Sequence, residues 1–369
     1  MPAPVVQFDA RPGRLDLAWG HPRPSLLPVG AWAAASAAAS RRYGWEQLTY
    51  GHGQGPGPLL DWLAGHVGDA GPEQTFVTGG ASHGLALITE LLTGPGDAVL
   101  VDAPTYHLAF RILTGRGASL VPVPASDPAA VAATIHRLRS QGRRVPLLYL
   151  VPTFANPTGA SLPPGARHGL VAVARREGVT LVEDDTYREL AYDGPAPAAL
   201  WRLAGGDPVV RLGTFAKTVA PGLRLGWINA APGRIGELTA LGYVDSGGGV
   251  NHATALTMAE FGSSGAYAEH LAGVREQYRA QRDALAGAMG TAPPAGGWFL
   301  WLPVPAGLTG GELLVRAEEQ GTSFVPGTRF HVGGGGEDRI RLSFSLLDPD
   351  ELTEAAGRLK AALRAGPGG

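Results

Sequence analysis

Only two lysines occur in this chain of 369 residues, Lys217 and Lys360, and arginine occupies almost every other cationic position. A guanidinium stays protonated in proteins, whereas a lysine amine can lose its proton and attack a carbonyl. A lysine kept in so lysine-poor a chain is therefore a candidate for chemistry that needs a free amine. We predict Lys217 as a Schiff-base nucleophile and Lys360, on a polar C-terminal segment, as a bystander.

Three other polar residues follow apolar runs that have the pattern of strands. Asp184 and Tyr187 come after Val179–Val182, and Asn156, one of three asparagines, follows Leu147–Val151. Ligands of open α/β sheets bind at the carboxyl ends of strands, so these side chains are expected to meet near Lys217. An amine, a carboxylate, a phenol and an amide are what pyridoxal phosphate requires. The amine binds the aldehyde, the carboxylate keeps the ring nitrogen protonated, and the other two donate to the ring oxygen.

The elements that must position these residues alternate between short apolar runs and helical patterns. From about Thr75 to Ala230 this rhythm is typical of βα units around a mostly parallel sheet. Helices are predicted over Ser82–Leu92 and Pro163–Glu177. Six strands are predicted, at Phe76–Thr78, Ala98–Val101, Leu147–Val151, Val179–Val182, Val209–Leu212 and Leu225–Ile228.

Beyond about Pro232 the pattern changes to long helices, of which Tyr267–Met289 is the clearest, and shorter strands. A last helix is expected after Asp348, a plausible N-cap, with Pro349 at its first position. We therefore predict an α/β protein with a large mostly parallel-sheet domain and a smaller α+β domain. The expected bounds are 1–48 for an N-terminal arm and part of the small domain, 49–235 for the large cofactor domain, and 236–369 for the small C-terminal domain.

Composition excludes several classes of function. The chain is 44% hydrophobic with a net charge of -2, which gives no electrostatic reason to expect nucleic acid or acidic membranes. It has no cysteine, which excludes disulfides, thiol catalysis and thiolate metal sites, and its ten histidines show no metal-binding pairing. The N-terminal residues lack the pattern of a signal peptide, and no run approaches the roughly 20 apolar residues of a membrane helix. A cytoplasmic location is the expectation.

With these motifs in order, the chain resembles the fold-type I pyridoxal phosphate enzymes of the aminotransferase class I and II family. It is most similar to the 2-aminoadipate-type aminotransferases and to the aminotransferase-like domains of certain bacterial regulators. The matching segments cover most of the chain: Tyr50 with Gly55, Thr78–Ser82, Asp102–Tyr106, Asn156–Gly159, Glu183–Tyr187, Gly213–Trp227, Gly296–Trp301 and Arg341–Phe344. Each segment alone is weak, and the eight in order make a strong signal.

The resemblance implies a role for each residue around the cofactor ring. Lys217 would bind pyridoxal 5'-phosphate and then move the proton at the substrate Cα. Asp184 would pair with the ring nitrogen, Tyr187 and Asn156 would hydrogen-bond the ring oxygen, and Tyr106 would stack on the ring face.

The resemblance also implies a phosphate site at the start of the Ser82 helix, where free N–H groups and the helix dipole favour an anion. Gly80, Ala81 and Ser82 would form it, and Thr214 and Arg224 would complete it. Tyr50 matches a tyrosine that reaches the phosphate from the neighbouring subunit, which implies a homodimer with shared active sites. Two departures from the family pattern, Leu59-Leu60 in place of a Leu-Arg pair and Ala216 in place of serine, concern phosphate contacts only.

For the substrate, the resemblance assigns Arg341 to the α-carboxylate, because Arg suits two-pronged binding of a carboxylate. Arg339 competes for this role, since it lies two residues earlier on the same side of a strand. Asn156 and Gly20 would also contact the substrate, and the segment from Trp19 to Pro28 would line its side-chain pocket. Trp298–Trp301 is expected to pack in the core, with a pocket-lining role as the alternative.

The leading hypothesis is a pyridoxal phosphate-dependent aminotransferase that moves an α-amino group between an L-amino acid and a 2-oxo acid by a ping-pong mechanism. The alternative is the same fold and cofactor performing a decarboxylation, an elimination or replacement, or a cyclisation. A third hypothesis is a ligand-sensing module like the regulators. No basic helix-turn-helix pattern precedes the motif-bearing segments, which makes this third expectation weaker.

Overall fold

The fold is seen in a computed structural model that describes residues 11–364. The N-terminal residues 1–9, on which the signal-peptide prediction depends, and the outermost parts of the predicted domain ranges lie outside the described residues. Strands occur at β1 (Leu15–Asp16), β2 (Thr75–Thr78), β3 (Ala98–Asp102), β4 (Ser119–Val123), β5 (Leu147–Leu150), β6 (Thr180–Asp184), β7 (Val209–Thr214), β8 (Gly226–Asn229), β9 (Phe299–Pro303), β10 (Thr322–Ser323), β11 (Val325–Pro326) and β12 (Arg339–Ser343).

The helices connect these strands and cover the sheet that they form. They are α1 (Val29–Tyr43), α2 (Gly57–Val67), α3 (Ala81–Leu92), α4 (Ala109–Leu113), α5 (Pro128–Ser140), α6 (Pro164–Glu177), α7 (Leu200–Ala204), α8 (Pro232–Thr239), α9 (Gly242–Asp245), α10 (His252–Ser263), α11 (Ala266–Met289), α12 (Gly310–Glu319) and α13 (Pro349–Arg364). In the described part of the chain, none of them is long and apolar enough to cross a membrane.

The largest sheet has seven strands in the order β2-β8-β7-β6-β5-β3-β4. β3 to β7 run parallel, and β8 runs antiparallel to both of its neighbours. Successive residues of the central strands enter different cores: Leu148 and Leu150 pack with α5 and α6, whereas Tyr149 belongs to the core on the opposite face. Helices on both faces explain why these strands are apolar throughout, and the predicted α/β class is confirmed.

A second, antiparallel sheet has the order β11-β12-β9, and β1 pairs with β10. The N-terminal strand is therefore joined to the C-terminal part of the chain, as the predicted arm of the small domain requires. The domain bounds themselves stay a prediction. At the last helix, Asp348 Oδ1 accepts the N–H of Glu351 at 2.8 Å and Glu351 Oε2 accepts the N–H of Asp348 at 2.8 Å. This reciprocal cap explains where α13 begins.

All six strands predicted between Phe76 and Ile228 are present within two residues. The prediction missed β4, whose five residues are mostly not buried and include Pro122. β4 lies at the edge of the sheet, where a proline is tolerated because one side of the strand needs no hydrogen-bond partner. An edge strand is half-solvated, so it lacks the apolar run that identified the others.

Candidate active site

The carboxyl ends of β5, β6 and β7 bring the predicted residues together. Asp184 is the last residue of β6, and Lys217 lies three residues beyond β7. Asn156 follows β5 in the turn before α6. Because β5, β6 and β7 are adjacent and parallel, their carboxyl ends meet at one edge of the sheet. The three motifs therefore converge although about 60 residues separate the first from the last.

Asp184 is a buried carboxylate with one satisfied and one unsatisfied oxygen. Its Oδ2 accepts the hydroxyl of Tyr149 at 2.7 Å, and its Oδ1 is buried with no hydrogen bond of normal geometry among residues 11–364. Burial raises the pKa of Asp184, and the hydrogen bond from Tyr149, with a smaller contribution from Thr186, opposes this shift. An unsatisfied buried acceptor is costly, so Oδ1 points to a donor that a ligand supplies.

Sequence reasoning missed Tyr149, which lies inside the apolar run of β5 and reads as core. Tyr149 pairs with Val182 across the sheet, two residues before Asp184. Since side chains alternate along a strand, Tyr149 and Asp184 lie on the same face. Burial raises the pKa of Tyr149 well above its usual value, so the phenol stays protonated and donates to Asp184. The available signal was a single polar atom in an otherwise apolar strand, which needs a partner when buried.

Lys217 is half-buried and its amine has only weak partners. Nζ donates to the carbonyl oxygen of Gly20 at 3.1 Å and lies 4.7 Å from the ring centroid of Trp298 and 6.0 Å from that of Tyr187. Burial, with the positive charge of Arg341, lowers the pKa of Lys217 to about 8. The neutral amine needed for attack on a carbonyl is therefore available near physiological pH.

Trp298 and Gly20 make the contacts that frame this lysine. Trp298 is fully buried, as core packing requires, and its ring also lies beside Nζ, so the pocket-lining alternative stays open for this residue. Gly20 lies close to the second sheet. A Cβ added at this position would be only 3.1 Å from Cζ of Phe299. The structure thus places Gly20 next to Lys217, while its predicted contact with substrate stays a prediction.

Tyr187 contributes a buried phenol to the site, and Tyr106 contributes a partly buried one. Tyr187 is 4% exposed, and burial raises its pKa while a hydrogen bond with Asn156 opposes the shift. Burial and the negative charge of Asp184 raise the pKa of Tyr106 to about 12. Both phenols are therefore protonated at neutral pH and can donate hydrogen bonds to a ligand oxygen.

Arg341 is a buried cation that has no counter-charge in the described part of the chain. Its Nη1 donates to Oδ1 of Asn156 at 2.9 Å and Nη2 donates to the carbonyl of Ala18, whereas Nε is buried without a partner. The guanidinium lies over the ring of Phe299 at 4.3 Å. Burial lowers its pKa to about 10, so it remains charged at neutral pH. No carboxylate of the described residues pairs with it, and an isolated buried cation favours binding of an anion.

The structure distinguishes Arg341 from Arg339. Arg339 is at the first residue of β12, about 40% exposed at its side chain, and pairs with Asp338 at 3.3 Å. Arg341 is 5% exposed and lies between aromatic rings at the site. Arg339 and Arg341 lie on the same face of one strand, but their side chains differ in exposure because Arg339 lies at the end of the strand and Arg341 lies in its interior.

A separate cradle forms where α3 begins. Gly80 is the N-cap with φ 96°, a conformation that favours glycine, and Nη2 of Arg224 donates to the carbonyl of Gly79 at 3.0 Å. A Cβ at Gly80 would lie 3.0 Å from that same Nη2. The Oγ1 of Thr214 accepts the N–H of Ala216 at 3.1 Å. The free N–H groups of a helix start beside an arginine suit an anion such as phosphate.

Tyr50 is the predicted residue that the fold does not bring to the others. It is 89% exposed, and within residues 11–364 no hydrogen bond or ring contact joins its side chain to the start of α3. Its ring lies beside Gly247, where an added Cβ would be 3.3 Å away. In the described chain, Tyr50 therefore faces solvent and makes no such contact with the predicted phosphate site.

Comparison with known proteins agrees with this geometry. The family model for aminotransferase class I and II matches residues 16–359. The 2-aminoadipate transaminase of Thermus thermophilus is 33% identical over 98% of this chain and 92% of its own length. The structure of the α-aminoadipate aminotransferase of that organism, complexed with N-(5'-phosphopyridoxyl)-L-leucine, covers 96% of this chain and 92% of that one, with a TM-score of 0.85 and 32% identity.

A kynurenine aminotransferase from Pyrococcus horikoshii has a similar structure, with a TM-score of 0.86 and 28% identity over 95% of this chain and 91% of that one. These likenesses extend over nearly the whole fold, and they cover the strand ends at which the residues described above converge. On this evidence the chain belongs to the aminotransferase class I and II family of pyridoxal phosphate enzymes.

Proposed function

We propose that the site formed by Lys217, Asp184 and Arg341 transfers the α-amino group of an L-amino acid to a 2-oxo acid in a ping-pong reaction. Family membership makes the chain an aminotransferase, and the named relatives are aminotransferases rather than decarboxylases, lyases or cyclases. The observation that carries the assignment is that Lys217 and Asp184, an amine with a lowered pKa and a buried carboxylate, lie at the carboxyl edge of the large sheet. The buried guanidinium of Arg341 reaches the same site from β12 of the second sheet, where it bonds Asn156.

The residues fit pyridoxal 5'-phosphate, the cofactor of this family. The free Oδ1 of Asp184 offers an acceptor for a protonated ring nitrogen, and the half-buried amine of Lys217 can bind the aldehyde. The start of α3 with Arg224 and Thr214 offers donors for the phosphate. Tyr187 and Asn156 would donate to the ring oxygen, and Tyr106 would lie against the ring. When bound, the cofactor supplies an electron sink that stabilises negative charge at the substrate Cα.

Each residue then has a defined task. Arg341 binds the substrate α-carboxylate with two N–H groups and so fixes which bonds of Cα can react. The negative charge of Asp184 would favour a proton on the ring nitrogen of the bound cofactor, and Tyr149 keeps Asp184 oriented. Nζ of Lys217 removes the proton from the substrate Cα, a task that its lowered pKa suits.

A single-turnover experiment tests the function. The purified protein with its cofactor is mixed with one amino acid at a time, without a 2-oxo acid, and the absorbance change to the pyridoxamine form is followed together with release of the 2-oxo acid. The relatives suggest 2-aminoadipate, leucine and kynurenine as first donors. Release of carbon dioxide or ammonia without that absorbance change would contradict transamination.

Replacing Arg341 with lysine is expected to reduce kcat/KM by about 10²-fold, mainly through KM, because one ammonium cannot make the paired hydrogen bonds of a guanidinium. Cofactor affinity should be unchanged. The matched control is Arg339→Lys, the same change on the same strand at an exposed position, which should keep kcat/KM within about twofold of the wild type. Equal substrate KM in the two variants would refute the assignment of Arg341.

We further propose that the protein works as a homodimer in which Tyr50 reaches the phosphate site of the partner. Trp45, Leu48, Tyr50 and Tyr243 are all 60% exposed or more, and the first three lie within six residues. A cluster of large exposed apolar side chains indicates a surface that another chain covers. A second copy is the occupant we favour, because Tyr50, the predicted phosphate contact, is exposed and makes no hydrogen bond or ring contact with the start of α3 among residues 11–364.

Tyr50→Phe is expected to weaken cofactor affinity by about tenfold through loss of one hydrogen bond to phosphate, with the dimer intact. Equilibrium dialysis of the cofactor measures the affinity, and sedimentation measures the mass. A wild-type particle with the mass of a single chain would contradict the shared site.

A cytoplasmic location also remains a proposal, supported by the absence of cysteine and open to test by cell fractionation.

A further inference from the structure

A line of hydrogen bonds begins at Thr218, the residue that follows Lys217, and leads away from the site. Oγ1 of Thr218 lies 3.1 Å from the hydroxyl of Tyr267, and that hydroxyl lies 2.7 Å from Oε2 of Glu189. The other carboxylate oxygen, Oε1, lies 2.6 Å from Nε2 of His66. Thr218 and Tyr267 are almost fully buried, whereas Glu189 and His66 are both partly exposed.

The chemistry of the four groups fixes the direction of these bonds. A carboxylate can only accept, so Tyr267 uses its one proton to donate to Glu189 and must accept the hydroxyl proton of Thr218. Burial raises the pKa of Tyr267 well above its usual value, and Glu189 adds to this, so the phenol stays protonated. Although burial opposes ionisation, the hydrogen bonds from His66 and Tyr267 hold the pKa of Glu189 below its usual value. Tyr267 therefore donates to a charged acceptor, Glu189, which His66 holds in place.

The ring of Tyr267 also contacts the chain on the N-terminal side of Lys217. It packs edge-on against Phe215, two residues before Lys217, with ring centroids 6.1 Å apart and an interplanar angle of 82°. It also packs against Trp62, at 5.2 Å and 74°, and Trp62 stacks on His66 at 4.8 Å. Tyr267 thus contacts the segment on both sides of Lys217, with its ring at Phe215 and its hydroxyl at Thr218.

We propose that Tyr267, held by Glu189, is a positioning residue that fixes the backbone around Lys217 and so keeps Nζ where it can reach the substrate Cα. This inference rests on the proposed role of Lys217. Tyr267 makes none of the contacts described for the reacting groups, so its effect must pass through residues 215–218. Its place at the first turn of α11 anchors this loop to a 24-residue helix outside the large sheet.

The experiment compares Tyr267→Phe, Thr218→Val and the double variant with the wild type, all carrying cofactor. Each single variant is expected to lower kcat by about tenfold with KM within about twofold, because a misplaced amine slows proton transfer without weakening carboxylate binding. The double variant should be no slower than Tyr267→Phe, since that variant already lacks the hydrogen bond to Thr218 as well as the one to Glu189. Thr218→Ser keeps the hydroxyl and should restore kcat.

A second readout does not depend on activity. Hydrogen–deuterium exchange of the peptide that spans residues 213–220 should be faster in Tyr267→Phe than in the wild type, with and without cofactor. The control is Tyr192→Phe, which removes another buried tyrosine hydroxyl, bonded to the carbonyl of Gly297 at 2.7 Å. It should lower stability by a similar amount without changing exchange of that peptide.

Several results would overturn the proposal. Unchanged kcat in a folded Tyr267→Phe, additive losses in the double variant, or equal losses in Thr218→Ser and Thr218→Val would each do so. If Tyr267→Phe does not fold, the Thr218 pair alone decides. The wild type is assayed first: if it binds no cofactor through Lys217, the proposed function fails, whereas a normal wild type with unaffected variants refutes only the positioning role.

Discussion

Lys217→Ala is expected to lose the long-wavelength absorption of the cofactor-bound protein and to lower transamination by at least about 10⁴-fold, because alanine can neither bind the aldehyde nor move the Cα proton. In the wild type, borohydride reduction followed by mass spectrometry should find the cofactor on the peptide that contains Lys217. The chain has only one other lysine, which makes this mapping unusually direct.

That second lysine provides the matched control. Lys360 lies on α13, is half-buried and belongs to none of the contacts described at the site. Lys360→Ala should therefore keep the absorption band and the activity. A band that persists in Lys217→Ala, or a reduced adduct found on Lys360, would refute the assignment of the nucleophile.

The lowered pKa of Lys217 adds a pH dependence to this prediction. Only the neutral amine attacks, so cofactor uptake by the cofactor-free protein should accelerate as pH rises and level off above the pKa, which burial and Arg341 lower to about 8. With the unshifted pKa of 10.5, only about 0.3% of the amine would be neutral at pH 8. A midpoint near 10 in stopped-flow uptake measurements would show that the amine is not activated by its surroundings.

Asp184→Asn should reduce kcat by about 10³-fold while the cofactor remains bound. This is the second-largest loss of activity that we expect. An amide carries no charge, so it cannot hold a proton on the ring nitrogen, and the ring then stabilises negative charge at Cα poorly. Steady-state kinetics at saturating substrate measure the loss, and the absorption band reports that the cofactor is still present.

The neighbouring carboxylate is the control for this change. Asp185 is as buried as Asp184, but its Oδ2 pairs with Arg188. Asp185→Asn should therefore affect stability and leave kcat nearly unchanged. Tyr149→Phe should lower kcat by about tenfold, which is between the effects of the two aspartate variants. Asp184 would keep its charge in this variant but would lose the hydrogen bond that orients it. Equal kcat in Asp184→Asn and Asp185→Asn would show that the ring nitrogen has another partner.

Much of the large sheet could be predicted because its central strands are buried on both faces. Such strands are continuous apolar runs, which the sequence displays directly. The edge strand β4 could not be predicted this way, since its exposed residues and Pro122 remove the signal. The start of the last helix after Asp348 was predictable because its cap is local, formed by residues three apart.

The residues of the candidate site also fall into two groups, those that the sequence could predict and those that needed the structure. Lys217, Asp184 and Asn156 could be named from sequence because each stands in a short motif after a strand, and their chemical types suit one cofactor. Tyr149 could not, since its role depends on register between β5 and β6. The choice of Arg341 over Arg339 also needed the structure, because both residues have the same type and the same face and differ only in depth.

By itself the sequence determined the order of the motifs, the family resemblance and the amine that can do the chemistry, because these are properties of residue type and short spacing. Only the tertiary structure decided which groups surround that amine: Trp298 and Gly20 beside Nζ, Tyr267 behind the next residue, and Tyr50 turned to solvent. The physical reason is that these contacts join residues up to about 200 positions apart. Such contacts exist only once helices and strands have packed, and packing is not encoded in any single stretch of the chain.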